Sequence, residues 1–95
     1  MPSYVLLVNL TDNGRKTIRD NPNRIREVNA EMKAMGVTIK DQYALFGPYD
    51  FISILEAPDD GVLANALIQL ASRGTATTMT LPATPTEEWV KRLVG

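Results

Sequence analysis

The spacing of apolar residues changes several times along this chain, and each change marks an element. Tyr4-Val5-Leu6-Leu7-Val8-Asn9-Leu10 is apolar at almost every position. A strand covered on one face alternates, so this run predicts a central strand covered on both. Thr11-Asp12-Asn13-Gly14 interrupts it and reads as a turn, or a short helical turn capped by Thr11. Asn21-Pro22 has the form of a helix start, with Asn21 as N-cap and Pro22 in the first position. Ile25, Val28, Met32 and Met35 then fall on one helical face, and Gly36 stops the run, which predicts a helix over 22–35.

Period two takes over next. Val37 to Phe46 and Phe51 to Ala57 are strand-like, and the short separator Gly47-Pro48-Tyr49-Asp50 predicts a β-hairpin. With Phe46 opposite Phe51, one face collects Tyr43, Leu45, Ile52 and Ile54. The other collects Lys40, Gln42, Ala44, Phe46, Phe51, Ser53 and Leu55. The first face is the more apolar and is expected to lie under helices. Pro58-Asp59-Asp60 opens a second helix with Leu63, Ala66, Leu67 and Leu70 as its buried stripe, ended by Arg73-Gly74. Thr75 to Leu81 is a Thr-rich strand, expected at an edge or facing another subunit. Thr84-Pro85-Thr86-Glu87 reads as a capping box ahead of a terminal helix bearing Trp89 and Leu93.

The predicted order is β-α-β-β-α-β plus a short C-terminal helix, over one domain spanning 1–95. That is the ferredoxin-like α+β arrangement: a four-stranded antiparallel sheet with two helices on one face. Two helices cover only one side of a sheet. The first strand is apolar on both sides, and Phe46, Phe51 and Leu55 are expected on the uncovered side. An apolar patch of that extent is not left in water by a monomer. The expectation is a homo-oligomer, a dimer or a multiple of it, with sheets packed face to face in a shared α/β barrel. The alternative is that the chain's own C-terminal helix folds over the open face.

Composition narrows the chemistry. The chain has 95 residues, 44% hydrophobic and 22% charged, with net charge −1. That balance gives no cationic field for nucleic acid or anionic lipid. Cysteine and histidine are both absent, which removes thiolate nucleophiles, thiolate and imidazole metal ligands, and His-based triads. No cofactor and no metal are expected. No run is long enough to span a bilayer and no leader is recognisable, so the expected location is the cytoplasm.

The hairpin Tyr43-Ala44-Leu45-Phe46-Gly47-Pro48-Tyr49-Asp50 resembles the signature of the GYD-domain family, named for Gly, Tyr and Asp at this turn. Tyr4 to Gly14 is similar to the family's first strand and turn. Pro22-Asn23-Arg24, Glu56-Ala57-Pro58-Asp59-Asp60 and Thr80-Leu81 fall in matching places, so the resemblance covers Tyr4 to about Glu88. Pro48 departs from the polar residue often found between Gly and Tyr. The resemblance implies a ferredoxin-like fold of the dimeric α/β-barrel group and brings no established activity. The wider group includes cofactor-independent oxygenases, lactone isomerases, haem enzymes and small-molecule sensors, so the fold does not select a chemistry.

The ligand-binding candidates are Asn9, Arg24, Tyr43, Tyr49, Asp50 and Glu56, with Tyr49 and Asp50 also as catalytic candidates. A phenol and a carboxylate at a strand turn can polarise a ligand, or Asp50 can simply shape the hairpin. Asn9 and Glu56 break apolar strands, which marks either function or a buried polar network. Arg24 is placed to pair with Asp50 or Glu56, or to hold a carboxylate. Lys40 and Thr80 are lesser candidates. The basic run Arg15, Lys16, Arg19, Arg24 and Arg26 reads as solvated surface. Three functions remain open: a small-molecule-binding, sensing or accessory oligomer; a cofactor-independent oxygenase or isomerase; and a structural interaction module. The first is preferred.

Overall fold

A strand with apolar side chains for both layers belongs in the middle of a sheet, and β1 (Ser3–Leu10) is there. The computed structural model describes residues 1–95. After β1 come α1 (Asp12–Asp20), α2 (Arg24–Ala34), β2 (Thr38–Ala44), β3 (Phe51–Glu56), α3 (Asp60–Ala71), β4 (Ala76–Ala83) and α4 (Thr86–Val94). The sheet order is β2-β3-β1-β4, antiparallel throughout. The expected α+β class with four antiparallel strands is present, with the Thr-rich strand at an edge.

Helix α1 is longer than the short turn expected after β1. The Thr11 side chain does cap it, accepting from the Gly14 amide at 3.1 Å, but the helix runs on for two turns through a polar stretch. Thr11 also donates its hydroxyl to the Gly74 carbonyl, and its amide reaches the Thr75 carbonyl. A Cβ on Gly14 would lie 2.0 Å from that Thr75 oxygen, so only glycine lets α1 approach the loop before β4. Asn21 closes α1 instead of capping the next helix, and Asn23 precedes Arg24 at the start of α2.

Helix α2 ends in a Schellman turn. Gly36, at φ 94°, donates to the Lys33 carbonyl, and Val37 donates to Met32 at 2.9 Å. The same turn brings Met32 and Val37 together in the core. Tyr4, Leu6, Leu55 and Ala57 supply the sheet's side of that core, and Leu63 and Ala66 of α3 close it. Asp59 caps α3 by accepting from the Val62 amide at 2.8 Å.

The hairpin differs from expectation in two ways. Ala44, not Phe46, lies opposite Phe51, so Phe46 falls in the connection, where it is fully exposed. The displacement is two residues, so the two sets of side chains stay together except for Lys40, which a bulge takes out of its set to pair with Glu56. The covered set is nevertheless the other one. Phe51, Ser53 and Leu55 register with Val8, Leu6 and Tyr4 and lie under the helices. Ile52, Ile54 and Tyr43 face away, so the uncovered side does not carry Phe51 and Leu55 as anticipated. A bulge between Ile39 and Asp41 leaves Lys40 as the extra residue of β2.

Helix α4 begins without a side-chain cap, so the expected capping box does not form. It buries no residue and makes almost no contact with the rest of the fold. The longest extent is 51 Å and the radius of gyration is 14.4 Å, against about 12 Å for a compact chain of this length. No helix is long and apolar enough to cross a membrane.

Candidate functional site

The two faces of the sheet present different chemistry. On the uncovered face, alternation from the registers places Val5 and Leu7 of β1, Ile52 and Ile54 of β3, and Met79 and Leu81 of β4 side by side. Leu7 lies between Ile52 and Met79, and Val5 between Ile54 and Leu81. Tyr43 extends this surface on β2 and is 62% exposed. The Tyr49 hydroxyl reaches over it to the Met79 sulfur, 3.8 Å away. Helix α4 does not cover this face and carries its own exposed apolar residues, Trp89, Val90, Leu93 and Val94.

The predicted site residues divide between the faces. Asn9 lies on the uncovered side opposite Thr77, and Glu56 lies there paired with Lys40 at 3.5 Å. Asp50 works at the end of the sheet. Its carboxylate accepts from the Leu10 amide at 2.8 Å, its own amide donates to Val8, and Arg15 lies 3.8 Å from the same carboxylate. Thr80 faces the helices opposite Leu6. Arg24 is apart from both Asp50 and Glu56. It donates to Glu27 and to Glu31, at 3.3 and 3.0 Å, on the helical side. The pairing anticipated for Arg24 therefore does not form, because the carboxylates one and two turns along its own helix are nearer partners.

Glu31 is the centre of that cluster. Arg73 Nη2 forms a salt bridge to Glu31 Oε2 at 2.5 Å. Arg73, and then Arg24, hold the Glu31 carboxyl below its ordinary range against the opposing effect of burial. The bond to Glu31 raises Arg24 in turn. Across the core, Tyr4 donates its hydroxyl to Asp60 Oδ1 at 2.5 Å. That bond, with burial and the charges of Asp60 and Asp59, raises the Tyr4 phenol.

The helical face hides a polar network that sequence reasoning missed. Asn29 of α2 donates to Gln42 Oε1 at 2.8 Å, and Gln42 donates to the Ser53 hydroxyl at 3.1 Å. Ser53 is 1% exposed. The available signal was positional: Asn29 interrupts the apolar stripe of α2, and Gln42 and Ser53 were already grouped on one face of the hairpin. A cavity of about 120 Å³ adjoins this network. Arg24 is the only predicted site residue that lines it.

Known proteins share both the sequence and the fold. The GYD domain family profile matches residues 4–93. Over 94 residues the chain is 47% identical to a Thermus thermophilus protein named glutamine synthetase and cystathionine beta-lyase binding protein, covering 98% of this chain and 99% of that one. Two solved structures share the fold. MtbAldR aligns with TM-score 0.68 at 22% identity, covering 88% of this chain, which spans only 52% of MtbAldR. TTHA0845 from Thermus thermophilus aligns with TM-score 0.57 at 21% identity, covering 90% of this chain and 95% of that one. The turn residues Gly47, Tyr49 and Asp50, the sheet order and the full-length match to the family profile agree: this chain belongs to the GYD domain family.

Proposed function

We propose that this protein is a homo-oligomeric accessory protein that binds other enzymes and responds to a small organic molecule. The observation that carries the reading is the 47% identity, over nearly the full length of both chains, to a protein named for binding glutamine synthetase and cystathionine beta-lyase. The surface supports it. Val5, Leu7, Ile52, Ile54, Met79 and Leu81 form a continuous apolar layer without a covering helix. Fully burying one such side chain is worth roughly 1.5–3 kcal/mol, so a face-to-face dimer gains much by closing this layer in the manner of a shared α/β barrel. The exposed α4 and the Phe46 tip then remain as apolar anchors for a second protein.

Binding is favoured over catalysis by the engagement of the two catalytic candidates. Asp50 is taken up by the Leu10 amide, while the Tyr49 hydroxyl points to the Met79 sulfur. The two therefore do not converge on a common reacting atom. The test is titration of glutamine synthetase and cystathionine beta-lyase from the same source with the purified protein, followed by native mass spectrometry. A saturable complex with at least one of them is expected. Absence of a complex with either contradicts the accessory reading.

A further inference from the structure

We infer that the cavity between the sheet and helices α1 and α2 is a binding site for a small neutral aliphatic molecule carrying one acceptor oxygen. The site lies on the helical side of the sheet, so it stands whether or not the chain self-associates or binds enzymes. Its volume is about 120 Å³, close to the roughly 150 Å³ of an apolar protein cavity that takes up benzene or xenon. That size suits a molecule of about six heavy atoms. Eleven of its nineteen lining residues are hydrophobic, with Leu6, Val8 and Phe51 on the sheet and Ile25, Val28 and Met32 on α2.

The polar end fixes the ligand's functional group. Ser53, which lines the cavity, uses its hydroxyl oxygen to accept from Gln42, so its own proton is available to an acceptor bound there. Gln42 is itself held in place by Asn29. A buried donor of this kind selects a carbonyl or hydroxyl oxygen over a plain hydrocarbon. Arg24 and Arg73 also line the cavity and are partly exposed, marking where it meets solvent. Both already contact the Glu31 carboxylate, and Arg24 contacts Glu27 as well. No unpaired cation is therefore offered to an anion, and a neutral occupant fits better than a carboxylate.

The test uses the intact protein in ¹³C-methyl NMR with xenon and pentan-2-one as probes. Both should give saturable shifts confined to methyl groups that line the cavity, among them those of Leu6, Val8, Ile25 and Val28. Ser53→Ala should weaken pentan-2-one about 5- to 10-fold and leave xenon unchanged, because only the ketone uses the hydroxyl. Ala76→Leu, which adds bulk to a residue lining the cavity, should abolish both responses; a thermal melt establishes that this variant is folded, and the Ser53→Ala comparison decides the matter if it is not. No saturable shift with either probe would overturn the inference, as would a cavity holding water only. Equal weakening of both probes by Ser53→Ala would overturn the role of the hydroxyl.

Discussion

The Asp50 carboxylate accepts a hydrogen bond from the Leu10 amide at 2.8 Å, joining the end of the hairpin to the last residue of β1. Strand pairing between β1 and β3 stops at Val8 and Phe51. The next contacts are made by Asp50, whose amide donates to Val8 while its side chain takes the place of a partner strand at Leu10. The acidic residue of the family's turn thus extends the sheet where backbone pairing has run out. Asp50→Ala should cost about 1–2 kcal/mol in chemical denaturation, the cost of a lost charge-assisted bond and an unpaired amide. Asp50→Asn keeps an acceptor oxygen and should lose less than half as much. Equal stability of the wild type and the alanine variant would show that the bond contributes nothing.

The approach of α1 to the loop before β4 gives a second prediction. Gly14→Ala places a methyl group against the Thr75 carbonyl, a backbone atom that cannot step aside alone. Destabilisation by about 2–4 kcal/mol is expected, at the upper end of overpacking costs. An unchanged Tm would mean that α1 does not sit this close to the loop.

Alkaline stability follows from Tyr4. The folded chain holds the Tyr4 proton more tightly than the unfolded chain, whose value is 10.0. Below that value both states are protonated and the stabilisation is complete. As pH rises above it, the unfolded state gives up its proton first, and stability falls until the folded-state value is passed. Tyr4→Phe should lower the wild-type melting temperature near neutrality and flatten this alkaline decline. A decline of equal steepness in both proteins would assign it to other groups.

The acid limb belongs to Glu31, where the sign is opposite. Its folded-state value lies below the ordinary 4.5 because of Arg73 and Arg24. The contribution is complete above that ordinary value and is lost as pH falls through the lowered one. Glu31 is more than a third exposed, so solvent screening limits the contribution to about 1 kcal/mol or less. The difference in Tm between wild type and Glu31→Gln should shrink between about pH 6 and about pH 3. A constant gap across that range would contradict the assignment.

Much of the fold could be read from apolar spacing, because β1, α3 and the Schellman end of α2 obey their local rules. Helix α1 escaped because Asp12 to Asp20 carries one large apolar residue, Ile18, and so leaves no stripe to count. The hairpin's alternation groups its side chains as the structure does, Lys40 at the bulge excepted, but points the two groups to the wrong sides for a different reason. Gln42 and Ser53 made one face look solvent-exposed, yet they satisfy each other and Asn29 beneath the helices. A polar pair separated by eleven residues, with its third member on a helix, gives no local sign that it is mutually paired. The candidate residues suffered similarly. Asn9, Tyr43, Tyr49 and Glu56 each stand out singly in the sequence, whereas the placement of Arg24 among acidic residues of its own helix depends on side-chain reach.

The reversal makes the uncovered face more apolar than the sequence alone suggested, and it sharpens the account of self-association. Ile54 sits at the middle of that layer beside Val5, and its side chain points away from the core. Ile54→Lys should therefore leave the fold intact while placing an ammonium group where a second sheet would pack. The most direct measurement is sedimentation equilibrium of the wild type and of this variant at micromolar concentration. The wild type should have at least twice the 10.5 kDa mass of the chain, and Ile54→Lys should sediment as a folded monomer. A wild-type protein of 10.5 kDa under those conditions would contradict the shared sheet interface.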